Sequence, residues 1–335
     1  MTCRTFLSAT LGFAAAFAPL LAGAQSSQTL PAASSLALRD WGSIGSASSL
    51  TPFAVTTDGV FVVTRKERGV IEFYSGRKLT ATFPNARMRG FNITSRTPLA
   101  LLTGNELAML DRRSSKLLYY SLRAGAPTFV KEFGLTRDYV DMCALGSRIY
   151  LVSTLGGGEL DRLDVGLERL DSAWQSIAPI RPHAQEDLNE ARVSCDSRHR
   201  FVIAANVLLP RVDCFNETGV RQWSTTIAGH KTVGLILNGN LSFALNPSRD
   251  GYHRLITVTA AKKFLWLQYA EVGLSDPPWG YQGGLLSIAL NLDTGREAFR
   301  STRMPMILGI SGERSLVYDL ATRSITAVEL PVPGR

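Results

Sequence analysis

The segment 285–299 reads Leu-Leu-Ser-Ile-Ala-Leu-Asn-Leu-Asp-Thr-Gly-Arg-Glu-Ala-Phe. Apolar and polar residues alternate in its two arms, which is the pattern of a half-buried β-strand, and the turn between the arms is rich in residues that favour chain reversal. The segment is therefore predicted to be a β-hairpin. Similar hairpins recur along the chain, in the segments 70–83, 106–122, 160–174, 211–223 and 315–330.

Each hairpin follows, or in the last unit overlaps, another pair of short apolar segments, so the chain is organised in repeated units of roughly fifty residues. The second segment of each pair is almost wholly apolar, as expected for a strand covered on both faces by neighbouring sheets. Repeated four-stranded units predict an all-β protein, a single β-propeller with six four-stranded blades. The first segments of the pairs lie at 53–56, 91–94, 140–143, 193–195, 255–258 and 306–309.

Two hairpins carry a more specific pattern, an Asp or Asn followed by Thr-Gly and then an aromatic residue. They are Val212–Trp223 and Leu290–Phe299. The pattern resembles the outer hairpin of bacterial propellers, in quinoprotein-type repeats and in the six-bladed TolB-like and NHL-like proteins. The other four hairpins lack the Thr-Gly pair, so the chain is more similar to the TolB-like and NHL-like proteins. In such a hairpin we expect the Gly to adopt a left-handed turn and the aromatic residue to pack against the next blade.

The beginning of the chain predicts export. Arg4 precedes an apolar run over residues 11–21, and the small residues at 22–24 form a cleavage pattern. We therefore expect a signal peptide at 1–24, a flexible lead-in at 25–35 and the propeller domain at 36–335, in a periplasmic or secreted protein. No later apolar run reaches the roughly twenty residues of a transmembrane helix.

The compressed last unit, 306–330, predicts that the ring is closed by a strand from the other end of the chain. Residues 35–41 are the candidate for this strand. A closed ring would remove exposed strand edges that could otherwise pair between molecules.

Three long connections are expected to carry function, because loops held by a rigid scaffold often do so. They lie at 178–190, 226–252 and 270–284, and in a propeller all three would emerge on one face. The middle connection holds two apolar runs around Asn238-Gly239, a strong hairpin signal. It is either a flap, which we favour, or the start of a seventh blade.

Positive charge is expected at the mouth of the central channel on that face. The chain has a net charge of +8, and five arginines lie at or just before the first strand of successive units: Arg89, Arg137, Arg192, Arg254 and Arg303. First strands line the channel of a propeller, so these residues would attract an anionic group or an acidic protein surface. Trp279 and Tyr281, in a nearby loop, would supply aromatic anchors. The alternative is that the arginines are ordinary solvated charges at strand ends.

Catalytic and nucleic-acid signals are weak. The four histidines, His183, His199, His230 and His253, show no metal-ligand spacing, and the chain has no Gly-x-Ser-x-Gly nucleophile elbow. Export, and the lack of a basic run interleaved with aromatic residues, argue against a nucleic-acid partner. We therefore predict a non-catalytic propeller without a cofactor, which binds a protein or an anionic ligand.

The alternative function is a metal-dependent propeller hydrolase. Six-bladed lactonases of the gluconolactonase type hold a calcium ion in the channel, and that resemblance implies oxygen ligands near Asn92, Asp141 and Glu190. The nearby arginines would oppose a divalent cation.

Three cysteines remain after the signal peptide, so at least one stays unpaired. Cys143 and Cys195 occupy matching first-strand positions of neighbouring units, whereas Cys195 and Cys214 lie two strands apart in one unit. Two strand spacings, about 10 Å, exceed the reach of a disulfide. We expect three small buried apolar side chains and no disulfide bond.

Overall fold

Short antiparallel strands, joined mostly by tight turns, form the part of the chain that the structure describes. This computed structural model describes residues 50–55, 60–65, 70–75, 78–83, 97–103, 105–122, 127–153, 158–177, 188–238, 242–246, 251–272, 285–311, 314–319 and 324–330. All of these residues belong to one compact unit, Ala32–Arg335. The predicted signal peptide, lead-in and closing strand lie outside the described residues.

Five sheets of four strands each follow one another along the chain, and in each sheet every strand pairs antiparallel with the next. Sheet 1 contains β1 (Leu50–Val55), β2 (Val60–Arg65), β3 (Val70–Ser75) and β4 (Lys78–Phe83). Sheet 2 contains β5 (Leu99–Leu102), β6 (Glu106–Asp111), β7 (Lys116–Ser121) and β8 (Thr128–Gly134). Sheet 3 contains β9 (Tyr139–Leu145), β10 (Arg148–Ser153), β11 (Glu159–Asp164) and β12 (Arg169–Ser176). Sheet 4 contains β13 (Ala191–Asp196), β14 (Phe201–Asn206), β15 (Arg211–Asn216) and β16 (Arg221–Thr226).

Sheet 5 and two smaller sheets complete the described strands. Sheet 5 contains β19 (Tyr252–Ala261), β20 (Phe264–Val272), β21 (Leu285–Asn291) and β22 (Glu297–Met304). Sheet 6 has three described strands, β23 (Met306–Ser311), β24 (Arg314–Asp319) and β25 (Ser324–Val328). The predicted hairpin around Asn238 is confirmed as a two-stranded sheet of β17 (Gly234–Asn238) and β18 (Ser242–Asn246), which pairs with no other described strand.

The first strands of the six larger sheets pack side by side in chain order. β1 contacts β5, β5 contacts β9, β9 contacts β13, β13 contacts β19 and β19 contacts β23; β23 also contacts β1. Five apolar clusters lie between consecutive sheets, so the core is a series of sheet interfaces. In the cluster between sheets 4 and 5, for example, Ile203 and Val212 pack with Leu265 and Ile288, all fully buried.

Sheet 2 differs from the prediction. The hairpin 106–122 was expected to form the third and fourth strands, but it forms the second and third, β6 and β7. The first described strand of this sheet is β5 and the fourth is β8, while the predicted first strand, 91–94, lies outside the described residues. β8 buries none of its side chains, and both Phe129 and Val130 are about half exposed. Because β8 has no buried face, its sequence lacks the alternation that reveals the other strands.

The Thr-Gly turns form as predicted. Gly219 and Gly295 have positive φ angles of 91° and 68°. In both turns the Asn that ends the third strand accepts hydrogen bonds from the backbone of the turn, at 2.9–3.1 Å for Asn216 and 3.0–3.1 Å for Asn291. These side-chain bonds replace the backbone pairing that a reversing chain loses.

Each Thr-Gly turn receives a tryptophan from the preceding sheet, which confirms the predicted packing of an aromatic residue against the next sheet. A Cβ atom built on Gly295 would lie 2.6 Å from Cε3 of Trp223, and one on Gly219 would lie 3.3 Å from the ring of Trp174. The Trp223 indole also donates a 2.6 Å hydrogen bond to the carbonyl of Leu292. The missing glycine side chain is what allows the rings to approach so closely.

The expectation of three free thiols is wrong. Cys143 and Cys195 form a disulfide bond between β9 and β13, with Cα atoms 5.6 Å apart. The first strands of neighbouring sheets approach each other more closely than strands two apart within a sheet, so the matching positions come within bonding distance. Cys214, on β15, is buried and free as predicted.

Candidate functional site

Side chains connect the first strands β9, β13 and β19, which are not paired through their backbones. The Asp141 carboxylate on β9 accepts a hydrogen bond from the backbone N–H of Val193 on β13, at 3.0 Å. The Ser194 hydroxyl accepts one from the backbone N–H of Ala260 on β19, at 3.1 Å. These contacts satisfy donors at the free edges of the strands. Asp141 therefore has a structural role whatever else it does.

A cluster of two arginines and one glutamate lies where β13 and β19 begin. One carboxylate oxygen of Glu190 lies 3.6 Å from a guanidinium nitrogen of Arg192, and the other lies 3.8 Å from one of Arg254. The three side chains are 15–20% exposed. Both distances exceed that of a good hydrogen bond, so neither guanidinium group forms a close pair with Glu190. We call Asp141, Glu190, Arg192 and Arg254 the arginine cluster.

The surroundings of Asp141 disfavour its charged form relative to that of an exposed aspartate. Desolvation raises the pKa of its carboxyl group, while the nearby Arg192 charge and the hydrogen bond from Val193 act in the opposite direction. The residue nevertheless keeps part of its surface accessible. Limited exposure together with strong desolvation is expected for a group on the wall of a narrow opening, where solvent reaches the surface but protein surrounds the charge.

One side-chain donor of Arg192 is buried. Its Nε atom is buried, and nothing among the described residues accepts a hydrogen bond from it. An unpaired buried donor on a charged group costs free energy, so such donors usually have a partner. Within the described part of the chain, this donor position is open.

Arg137 is held within its own sheet rather than in the arginine cluster. It forms an ion pair with Glu159 on β11 and lies 4.0 Å from the buried carboxylate of Asp161. The hydrogen bond with Glu159 raises the pKa of Arg137. Tyr139 donates a 2.5 Å hydrogen bond to the same Asp161, so this group is tied to the third strand of sheet 3.

The structure places the other candidate residues apart or does not describe them. Arg303 is exposed near the end of β22, the fourth strand of sheet 5, just before the first strand of sheet 6 begins at Met306. Arg89, Asn92, Trp279 and Tyr281 lie outside the described residues. Within the described ranges, no group of three or more histidine, cysteine, aspartate or glutamate side chains is arranged to hold a metal ion.

A second polar cluster was missed by sequence reasoning. His230, in the connection after β16, packs against His253 on β19 and Tyr269 on β20, with ring centroids 5.2 and 5.1 Å apart. No local spacing links these residues, because the connection is brought onto sheet 5 only by tertiary packing. This grouping of two histidines and a tyrosine is visible only in the folded chain.

Comparison with solved structures identifies the fold. The crystal structure of the RRP9 WD40 repeats is similar, with a TM-score of 0.52, 12% identity, and coverage of 91% of this chain and 99% of that chain. A member of the DUF4221 family from Bacteroides vulgatus gives a TM-score of 0.53 at 8% identity, covering 83% of this chain and 91% of that chain. A protein of unknown function from Bacteroides thetaiotaomicron gives a TM-score of 0.51 at 11% identity, covering 84% of this chain and 69% of that chain.

These similarities show a β-propeller fold, because WD40 repeats build propeller blades. At such low identities they show the fold alone. No protein-family profile matches the sequence, and no curated protein matches it. Within the described residues, no helix has the length and apolar character needed to cross a membrane.

Proposed function

We propose that this protein is an exported, non-catalytic β-propeller that binds the anionic group of a protein or small molecule at one mouth of its central channel. The observation that carries the proposal is the buried Nε–H of Arg192, which has no acceptor among the described residues. An anionic ligand would supply that acceptor and form a charge-assisted hydrogen bond, which is stronger than one between neutral groups.

The balance of charge in the arginine cluster favours an anion over a cation. Arg192 and Arg254 both lie within 4 Å of the Glu190 carboxylate, and the raised pKa of Asp141 favours its neutral form relative to an ordinary aspartate. A calcium ion bound to Glu190 would lie close to two guanidinium groups and would be repelled by both. For this reason we prefer the binding function to the hydrolase alternative.

A six-bladed closed ring is part of the proposal. Its support is the cycle of contacts between first strands, which runs from β1 through β5, β9, β13 and β19 to β23 and returns to β1. In this arrangement β17 and β18 form a flap, and residues 35–41 supply the fourth strand of sheet 6. The repeat pattern then corresponds to the TolB-like and NHL-like propellers that the two Thr-Gly hairpins resemble.

Export through the signal peptide 1–24 is also proposed. The disulfide bond between Cys143 and Cys195 supports it, because structural disulfides persist mainly in oxidising compartments such as the periplasm. N-terminal sequencing of the protein recovered from the exported fraction tests this point. A mature chain that begins at Gln25 is expected, and a chain that keeps residues 1–24 in the cytoplasm would contradict it.

The binding proposal is tested by reversing the charge of the arginine cluster. We expect the double variant R192E/R254E to lose capture of exported proteins, and binding of citrate or phosphate in calorimetry, by at least about tenfold, because two favourable charges become repulsive. The matched control is R198E/K263E, which makes the same change in net charge on two exposed turn residues elsewhere in sheets 4 and 5.

Two outcomes would contradict the proposal. If R192E/R254E and R198E/K263E bind the anionic ligands equally well, the arginine cluster is not the binding site. Stoichiometric calcium binding by the wild-type protein that is lost in D141N and E190Q would instead support the hydrolase alternative. Circular dichroism of each variant establishes that the fold is retained.

A further inference from the structure

The segment Ile227–Val233 connects β16 to β17 and lies across the start of β19. We call it the strap. Its two ends, Ile227 and Val233, are buried, whereas Ala228, Gly229 and the residues at 231–232 are exposed. Ile227 donates a 2.7 Å hydrogen bond to the carbonyl of Pro210. The strap is thus an exposed segment attached at both ends by apolar side chains.

Polar contacts attach the middle of the strap to sheet 5. The backbone N–H of Lys231 donates to Nδ1 of His253 at 3.1 Å, and the backbone N–H of His253 donates to the carbonyl of Lys231 at 2.8 Å. Arg300 on β22 donates to the carbonyl of Ala228 at 2.9 Å. Lys231 also forms an ion pair with Glu271 on β20. The imidazole of His253 is therefore one of the groups that hold the strap in place.

The imidazole ring of His230, itself a residue of the strap, packs against sheet 5 and has no hydrogen-bond partner among the described residues. Both of its ring nitrogens are buried and unpaired among the described residues, and so is the hydroxyl of Tyr269. Burial, and secondarily the charge of His253, lower the pKa of His230 to about 4. Burial also lowers the pKa of His253; Lys231 and Arg300 add to that effect, while Glu271 opposes it.

We propose that the strap is an acid-sensitive latch, closed while His230 and His253 are neutral and released when they are protonated. The Nδ1 atom of His253 can accept the hydrogen bond from Lys231 only while it carries no proton. A proton at Nδ1 would make it a donor that faces the N–H donor of Lys231. A proton on His230 would create a buried charge with no acceptor, 5.2 Å from the other ring.

The charged groups around the two histidines favour release. Lys231 on the strap and Arg300 on β22 are cations, and Arg300 is already paired with Glu297. Among the described groups that act on His253, Glu271 is the one anion. It is already paired with Lys231. Tyr269 is neutral, since burial raises its pKa. The protonated imidazoles are therefore more stable in water than in the closed arrangement of the strap on sheet 5.

The direction of the pH dependence follows from the lowered pKa values. A histidine with a depressed pKa stabilises the closed state fully above its ordinary value of 6.5, and the stabilisation is lost as the pH falls towards 4. For His230 alone, release at pH 5 should be favoured about 30-fold over release at pH 8. Because the strap leads directly into β17, release would also loosen the attachment of the β17–β18 hairpin. This latch is independent of the anion-binding proposal.

Hydrogen exchange measured by mass spectrometry on the mature protein tests the latch. After correction for the intrinsic effect of pH on exchange, peptides covering 227–233 should exchange about 30-fold faster at pH 5 than at pH 8. Peptides covering β14 should keep their protection. The variant H230F/H253N should remain protected at both values, since Phe preserves the ring packing and the Asn side-chain oxygen can accept the Lys231 hydrogen bond.

The matched control is H199N, because His199 lies in the turn after β13 and pairs with Asp196. This variant should behave like the wild type. If H230F/H253N does not fold, H230F alone should still reduce the acceleration of exchange at pH 5, because it removes the contribution of His230. An unchanged pH effect in H230F/H253N, or an equal acceleration in β14 of the wild type, would overturn the proposal.

Discussion

Gly219 and Gly295 connect neighbouring sheets, although each is a single residue in a turn. Their backbones adopt φ angles that other residues avoid, and the absence of a side chain admits an indole ring from the preceding sheet. This explains why Thr-Gly occurs in the two hairpins that receive Trp174 and Trp223. The sequence pattern predicted the turn and the contact, but not the hydrogen bond from Trp223 to Leu292, which joins residues far apart in the chain.

Replacing Gly295 by Ala should lower the free energy of unfolding by about 3–5 kcal/mol, from a strained φ angle together with overpacking against Trp223. G146A, at a positive φ angle with open space around it, should cost about 1–2 kcal/mol. G134A, with neither constraint, should be close to neutral. Urea unfolding of the three variants measures these differences. Equal losses for G295A and G146A would show that the contact with the ring contributes nothing.

Arginine illustrates what a residue's position in the sequence can reveal. The arginines before successive first strands suggested one positive ring, and Arg192 and Arg254 do share a cluster. Arg137 is instead neutralised within its own sheet, and Arg303 is exposed on an outer strand. Partners such as Glu159 and Glu190 decide which arginines keep free donors, and no spacing rule predicts these partners.

At the scale of elements, the first strands have edges that are not paired through the backbone, and side chains from neighbouring sheets satisfy them. Asp141 accepts from Val193, Ser194 accepts from Ala260, and the disulfide joins Cys143 to Cys195. The carboxylate contact and the disulfide lie two residues apart on the same pair of strands. The disulfide therefore holds together the two strands that carry Asp141 and Arg192.

Removing the disulfide should destabilise the protein strongly. The bond closes a loop with a sequence separation of 52 residues, so the double variant C143S/C195S should lose about 4 kcal/mol of unfolding free energy on the chain-entropy estimate. Unfolding in urea with and without a reductant measures this effect. The wild type should weaken in reductant, and the double variant should not respond.

The control for the disulfide is C214A, which changes the buried free thiol on β15 and leaves the bond intact. The C214A variant should lose less unfolding free energy than C143S/C195S, and its stability should still fall in the presence of reductant. A wild-type protein whose stability is the same with and without reductant would contradict the structural role of the bond.

The positions of hairpins with a buried face were predicted correctly from the sequence. A strand with no buried face was missed. The hairpins of sheets 1, 3, 4 and 5 lie where the apolar alternation placed them. β8 was missed because its side chains are exposed or half-buried, and the sequence then shows no period. The misassigned strand order of sheet 2 follows from that one omission.

At the scale of the whole molecule, apolar clusters lie between consecutive sheets, and the proposed closed ring would bring the two ends of the series together. β23 contacts β1, and sheet 6 has three described strands where sheets 1–5 have four. A strand from residues 35–41 would complete sheet 6 and cover the edge of β25. An uncovered edge would invite pairing with another molecule.

Deletion of residues 36–45 should therefore lower the unfolding free energy by several kcal/mol and promote aggregation. Deletion of 25–33, the predicted lead-in, should change it by less than about 0.5 kcal/mol. Thermal melting and light scattering of both truncated proteins provide the measurement. Equal tolerance of the two deletions would rule out closure by this segment.

The sequence by itself determined the repeated antiparallel sheets, the turns and the extra hairpin, because each depends on local alternation and on turn residues that act within a few positions. Only the tertiary structure decided the disulfide, the arginine cluster and the contact of His230 with His253. In each of these, the partners come from different sheets or from a connection folded onto a sheet. Their energies depend on distance, burial and competing charges, which local sequence does not encode.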